Sequence, residues 1–356
     1  MSRERPSPEE LAPEDAIERY LRRRRPDSTD RSIQGWKYRL KLFREWLDEV
    51  GIEQVGELRR YDLDEYYEHR SAEIKPVTLE GEMWTLHGFV SFLEDIGAVE
   101  DGLADSVRIP DLDPEDRSSD IKLHADAALA LLDYYRSNET LYGTRRHAFF
   151  ELLWHTGARQ GGIRGLDLQD VELEDDPTVN FRHRPGSGTP LKNKRAGERP
   201  VGISETVADV LRTYVRVHRH KKVDDHQRSP FLTTTRGRPS PQTLRAWSYR
   251  VTIPCEHQPC PHSRSRDTCP FVDYHKASQC PSSRSPHQIR TGAITWMLNR
   301  GWPPEDVAAR VNASVETIEQ HYDKADLDQR RKRQRQRMEK RRRPLLDQLQ
   351  NKEENQ

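Results

Sequence analysis

Residues 285–325 read SPHQIRTGAITWMLNRGWPPEDVAARVNASVETIEQHYDKA, and the rest of the chain takes its meaning from them. The spacing predicts helices over about 286–300 and 303–311 and a short one over about 314–322. His287 and Arg290 stand three residues apart near the start of the first, which puts them on one helical face. Tyr322 lies at the end of the third. Each has an ordinary role when taken alone: such a His/Arg pair is usually structural, and such a tyrosine usually packs. What changes their weight is the order of residues upstream. Arg159 ends the segment WHTGAR behind an apolar helical stretch, and a lysine-bearing turn, LKNKRAGERPVGI (191–203), lies between it and His287.

The chain of 356 residues balances 59 Lys and Arg against 59 Asp and Glu, with 33% hydrophobic residues. No run approaches the ~20 apolar residues that span a bilayer. The start, MSRERPSPEE, is charged and has no apolar segment behind it, so the expectation is a cytoplasmic protein. The zero net charge conceals segregation. Residues 51–150 hold 22 acidic and 10 basic side chains, residues 177–300 hold 22 basic and 8 acidic, and residues 330–343 hold 10 basic and 1 acidic. A basic block of that size suits a phosphate-bearing partner.

At roughly 100–200 residues per domain, the length implies two or three domains. Residues 1–12 read as disordered. Helices follow from Pro13 to about Arg24, from a cap at Ser28 or Asp30 to Gly51, over Asp62 to Ile74, and from about Thr78 to Gly97. The second pairs an apolar face (Ile33, Trp36, Leu40, Phe43, Leu47, Val50) with a basic one (Arg31, Lys37, Arg39, Lys41, Arg44). Residues 13–97 thus form a small helical domain, and 98–121 read as an acidic, proline-containing linker. A second domain over 122–328 opens with helices over about 125–137 and 144–156. It continues through a small β-sheet over 169–203, with a hairpin between Leu191 and Ile203, and helices at about 204–223 and 240–250. Residues 329–356 form a basic tail.

All four cysteines, Cys255, Cys260, Cys269 and Cys280, fall within 255–280. Such clustering without a secretion signal favours a metal over disulfides. Four thiolates complete a tetrahedral zinc shell, with His257, His262 and His275 as substitutes; the alternative is four reduced surface thiols.

Together the ordered set resembles the tyrosine recombinase family, the phage-type integrases. WHTGARQGGIRGLDLQDVEL (154–173) is similar to the family's first arginine box, and residues 285–325 are similar to its second box with the terminal tyrosine. The resemblance implies a mainly α fold with a small β-sheet: a helical, SAM-like core-binding domain followed by a mixed α+β catalytic domain. It implies site-specific DNA cutting and rejoining through a 3′-phosphotyrosyl intermediate, with no cofactor for catalysis. Tyr322 would be the nucleophile. Arg159 and Arg290 would hold the charged transition state by paired hydrogen bonds, and Lys194, or else Lys192, would protonate the leaving 5′-oxygen. His287 would contact the phosphate or accept the tyrosine proton. The partner would be double-stranded DNA, bound by a homotetramer on two duplexes. The segment ending CPSSRSPH is similar to segments in haloarchaeal integrases, which implies an archaeal mobile element.

Two positions depart from the family pattern. Ala313 stands where a histidine or tryptophan is usual, and losing one donor to the phosphate slows such chemistry by roughly 100-fold or more. Gly162 stands where an acidic residue often follows the first arginine. Ala313 leaves open a second reading, an integrase-like DNA-binding regulator with weakened catalysis.

Overall fold

The computed structural model describes residues 7–113 and 121–321, together with positions 335, 338 and 339. Tyr322 and nearly all of the 329–356 tail lie outside the described residues. The chain divides into two compact units, 1–119 and 120–356.

The first unit is built from four helices, α1 (Pro13–Arg24), α2 (Asp30–Val50), α3 (Arg60–Ser71) and α4 (Pro76–Asp95). Thr29, between the two candidate residues, caps α2 by accepting a hydrogen bond from the Ser32 N–H at 3.2 Å, and Gly51 closes the helix in the left-handed conformation at φ 81. Leu40, Phe43 and Leu47 of α2 meet Tyr66 of α3 and Met83, Leu86, Phe89 and Val90 of α4 in the core. One polar cluster is buried with them. Glu82 accepts from the Tyr66 hydroxyl at 2.6 Å and from Arg70 Nε at 2.7 Å, so its charge is paired. The basic face of α2 is not all available to a partner: Arg39 turns inward to donate to Thr85 Oγ1, and Arg44 pairs with Asp48.

Both edges of this unit differ from the sequence expectation. Residues 7–12 are ordered: Pro8–Glu10 form a 3-10 turn, and the Leu11 carbonyl accepts from the Val55 N–H at 2.9 Å. The expected linker begins too early, because Ala98, Leu103, Ala104 and Val107 are buried in the helical core. Glu94 fixes that return by accepting from the Ala104 N–H.

The second unit is organised around α6 (Arg145–Thr156), which is buried on nearly every side from His147 to Thr156. It is packed by α5 (Ala125–Ser137), α8 (Glu205–Thr213), α9 (Pro241–Val251) and α10 (Pro286–Asn299). The short α7 (Gln160–Gly165) follows α6. A three-stranded antiparallel sheet, β1 (Val171–Glu172), β2 (Thr178–Phe181) and β3 (Arg199–Gly202), lies in the order β1-β2-β3 with Val179 opposite Val201. The hairpin is therefore wider than expected, since β3 pairs with β2 and 191–197 forms a loop instead of a strand. Leu191 plugs into the core, and Lys194 adopts a left-handed φ of 50, which interrupts an extended chain. Helices α11 (Pro304–Val311) and α12 (Val315–His321) complete the unit. Gly292 lets α10 run against residue 123, because a Cβ there would collide with the Leu123 carbonyl.

The architecture is thus mostly helical with one small sheet. Among the described residues, no helix is long and apolar enough to cross a membrane.

Candidate active site

Where α6 ends, Gly157 takes a left-handed φ of 59, and a Cβ at that position would stand 2.8 Å from Val311 Cγ1. The close approach brings the C-terminal turn of α6 onto the C-terminal turn of α11. Arg159, two residues on, occupies the position just before α7, where its side chain makes no capping hydrogen bond. Arg290 projects from the second turn of α10 and is only 2% exposed.

The two arginines meet at the end of α11, where the last carbonyls of a helix have no partners within it. Arg290 Nη1 donates to the Val311 carbonyl at 2.8 Å and to the Gly157 carbonyl at 2.6 Å. Arg159 Nη1 donates to the Asn312 carbonyl at 2.6 Å. A third arginine, not singled out from sequence, completes the row: Arg199 Nε, at the start of β3, donates to the Arg310 carbonyl at 2.6 Å. Three consecutive carbonyls, 310, 311 and 312, thus each hold a different guanidinium at the negative end of a helix dipole.

Arg199 also stacks on Phe181, 4.3 Å from the ring centroid. Burial, followed by repulsion from Arg290, Arg159 and Arg310, pushes its pKa down to about 10. The hydrogen bonds described for Arg199 and Arg310 end on main-chain carbonyls: Arg310 on His155 and Gly202, Arg199 on Arg310 and Gly197. Carbonyls supply only partial charge to Arg199 and Arg310, and guanidiniums gathered in this way suit a multiply bonded anion.

Phe181 also accounts for one departure from the motif. A Cβ at Gly162 would stand 3.2 Å from the Phe181 ring, so the space of an acidic side chain is occupied by the ring that carries Arg199. Ala313 is partly buried against the hydrophobic core.

The remaining expected residues are distributed around this cluster. His287 lies in the first turn of α10, exposed, three residues before Arg290. Lys192 and Lys194 are both exposed on the 191–197 loop. Asn193 Nδ2 ties that loop to Asn312 Oδ1 at 2.9 Å. Helix α12, anchored by buried Ile318, is described as far as His321, and Tyr322 follows outside the described residues.

Behind the site, Glu151 is fully buried beneath His147, His155 and Arg136. Burial works against its charge, but the hydrogen bonds from His147, His155 and Arg136 hold the carboxyl far below the usual range.

The cysteine segment forms turns on α9 and at the entry to α10. Cys260, Cys269 and Cys280 each precede a proline and accept a hydrogen bond from the N–H three residues on, at Ser263, Val272 and Ser283. Among the described residues, no three His, Cys, Asp or Glu side chains are grouped to hold a metal. The turn hydrogen bonds are made by the main chain and leave the thiols unassigned, and Cys260 and Cys280 are close enough to Cys255 to act on its charge.

A model described as the phage integrase family matches residues 122–328. The chain belongs to that family. The tyrosine recombinase XerC of Treponema denticola is 26% identical over 197 residues, covering 53% of this chain and 57% of that protein. The present chain therefore spans little more than half the length of that curated relative. Among solved structures, the Tn1549 transposon integrase in complex with a circular intermediate DNA covers 90% of this chain and 99% of its own, with a TM-score of 0.63 and 13% identity. A lambda integrase dimer bound to a COC′ core site covers 92% and 78%, with a TM-score of 0.58 and 13% identity. Both likenesses are of fold: a helical N-terminal domain and a recombinase catalytic domain.

Proposed function

We propose that this integrase-family chain is a site-specific recombinase that cuts and rejoins double-stranded DNA through a 3′-phosphotyrosyl intermediate. The observation that carries the reading is the row of carbonyls 310–312, which gathers Arg199, Arg290 and Arg159 into one pocket. A phosphodiester passing through a pentavalent state develops charge on its non-bridging oxygens, and prearranged guanidiniums stabilise that charge without reorganising. Tyr322 Oη attacks the phosphorus, and its proton passes to a base for which His287 is the candidate. The P–O5′ bond breaks, and Lys194 protonates the leaving 5′-oxygen. Attack by a 5′-hydroxyl reverses the sequence, so bond energy is conserved and no nucleotide cofactor is consumed. The working assembly on this reading is a homotetramer on two duplexes.

The test is a nicked duplex carrying the sequence that the protein selects from a random pool. Wild-type protein should form a covalent adduct that is absent in Tyr322→Phe. Tight binding with no wild-type adduct would sink the enzyme reading and leave a DNA-binding regulator.

A structural zinc on the 255–280 segment is a second proposal, resting on four thiols in one short insertion. Its residues would close from their separate turns onto the ion. Metal analysis of protein purified without chelator should then find about one zinc per chain; a metal-free protein of unchanged melting temperature after Cys260→Ser and Cys280→Ser removes the proposal.

A further inference from the structure

Asn312 ends α11 in the left-handed conformation, with φ 55 and ψ 67. Glycine and asparagine adopt that conformation most readily, and glycine alone would satisfy the turn. The side chain therefore has work beyond the backbone. Its Oδ1 accepts from Asn193 Nδ2 at 2.9 Å, and its Nδ2 lies where a Cβ on Gly197 would stand only 2.5 Å away. Asn193 and Gly197 flank Lys194 in the loop between β2 and β3. The carbonyl of the same Asn312 accepts from Arg159. One residue thus grips the arginine pocket with its main chain and the lysine loop with its side chain.

We propose that Asn312 is a positioning residue that clasps the lysine loop to the arginine pocket, so that the Lys194 ammonium is delivered to the leaving 5′-oxygen. The proposal rests on the reading of Lys194 as the general acid. Leu191 and Gly197 anchor the two ends of the loop, but residues 192–196 between them are exposed, and an ammonium displaced by about 1 Å from its acceptor costs on the order of 100-fold in rate. Asn312→Gly keeps the left-handed turn and the carbonyl for Arg159 while removing the clasp. Asn193→Ala removes the same bond from the loop side, at an exposed residue that the core does not need.

Both variants, the double variant and Lys194→Ala are compared on two nicked duplexes, one ordinary and one with a 5′-bridging phosphorothiolate at the scissile position. A thiolate leaves without a proton, because its conjugate acid is far stronger than an alcohol. The expected result is a loss of roughly 10- to 100-fold in adduct formation on the ordinary duplex for Asn312→Gly and Asn193→Ala. The double variant should be no worse than either single one, DNA affinity should be unchanged, and the phosphorothiolate should restore near wild-type rates for every variant. If Lys194→Ala is rescued while Asn312→Gly and Asn193→Ala are unimpaired, or impaired equally on both duplexes, the clasp is overturned and the general acid stands. If Lys194→Ala itself is not rescued, the general-acid reading falls and takes the clasp with it.

Discussion

Arg199 shows how a single side chain acquires a role from its surroundings. It stacks on Phe181, gives its Nε to the end of α11, and is held near two other guanidiniums with only carbonyls as described hydrogen-bond acceptors. Lysine cannot reproduce the planar stack together with the directed donors. Arg199→Ala and Arg199→Lys should therefore each slow adduct formation by about 100-fold while DNA affinity changes little; wild-type rates in both would remove Arg199 from the pocket. Arg159 and Arg290 were legible in the sequence because each lies in a recognisable box. Arg199 and Asn312 were not. An arginine in KRAGERP reads as a surface charge, and its partner carbonyl is more than a hundred residues away in the chain. Similarly, Asn312 could be read only as a neighbour of the departure at Ala313, because its bond to Asn193 depends on a loop that the sequence leaves unplaced.

At the level of elements, α6 positions the site through a core that is partly polar. Its buried Glu151 is satisfied by two histidines on its own helix and by Arg136 of α5, and the carbonyl of His155 holds Arg310 beside the pocket. Glu151→Gln leaves Arg136 without its counter-charge and should cost roughly 3 kcal/mol. The pH dependence follows from the direction of the shift. The folded carboxyl lies below its unfolded value of about 4.3, so its contribution is complete above that pH and declines as pH falls below it. The gap in thermal stability between wild type and variant should begin to narrow below about pH 4 and go on narrowing as the pH falls further, closing only well below that value; a gap that does not narrow at all in acid would show that the charge of Glu151 is not what stabilises α6. Helical periodicity made most helices readable, including α1 from its first-turn proline. The β2–β3 connection was misread because a turn-rich segment of 191–203 looks the same whether it closes a tight hairpin or carries a plugged, left-handed loop.

Over the whole molecule, the segregation of charge in the sequence is real but overstates the basic surface. In the 177–300 block, Arg184 pairs with Asp170, and Arg228 and Arg238 pair with Asp224. Arg219 and Arg284 donate to carbonyls. The exposed remainder includes Lys192, Lys194, Arg195, Arg216, Lys221 and Lys222, and also Arg182, Arg236, Arg245, Arg264, Arg266, Lys276 and Arg300, so exposed basic side chains are spread over the whole block. Composition could count these charges but could not say which were already spent inside the fold, since pairing across the chain depends on tertiary packing. The division into two units was suggested by the loss of helical period after Gly97, yet the first core reaches past it, because Leu103 and Val107 are apolar residues in an otherwise acidic stretch.

The three carbonyls at the end of α11 have a further consequence for fidelity. A nuclease pocket whose cations sit on independent supports can lose them one at a time, passing through half-armed states that cut without rejoining. Here Arg159, Arg199 and Arg290 all donate to the same turn, so a displacement of that turn disturbs all three at once, even though Arg290 also holds Gly157 and Arg199 also stacks on Phe181. On the proposed recombinase reading, a single substitution in the 310–312 turn should therefore weaken all three phosphate contacts together.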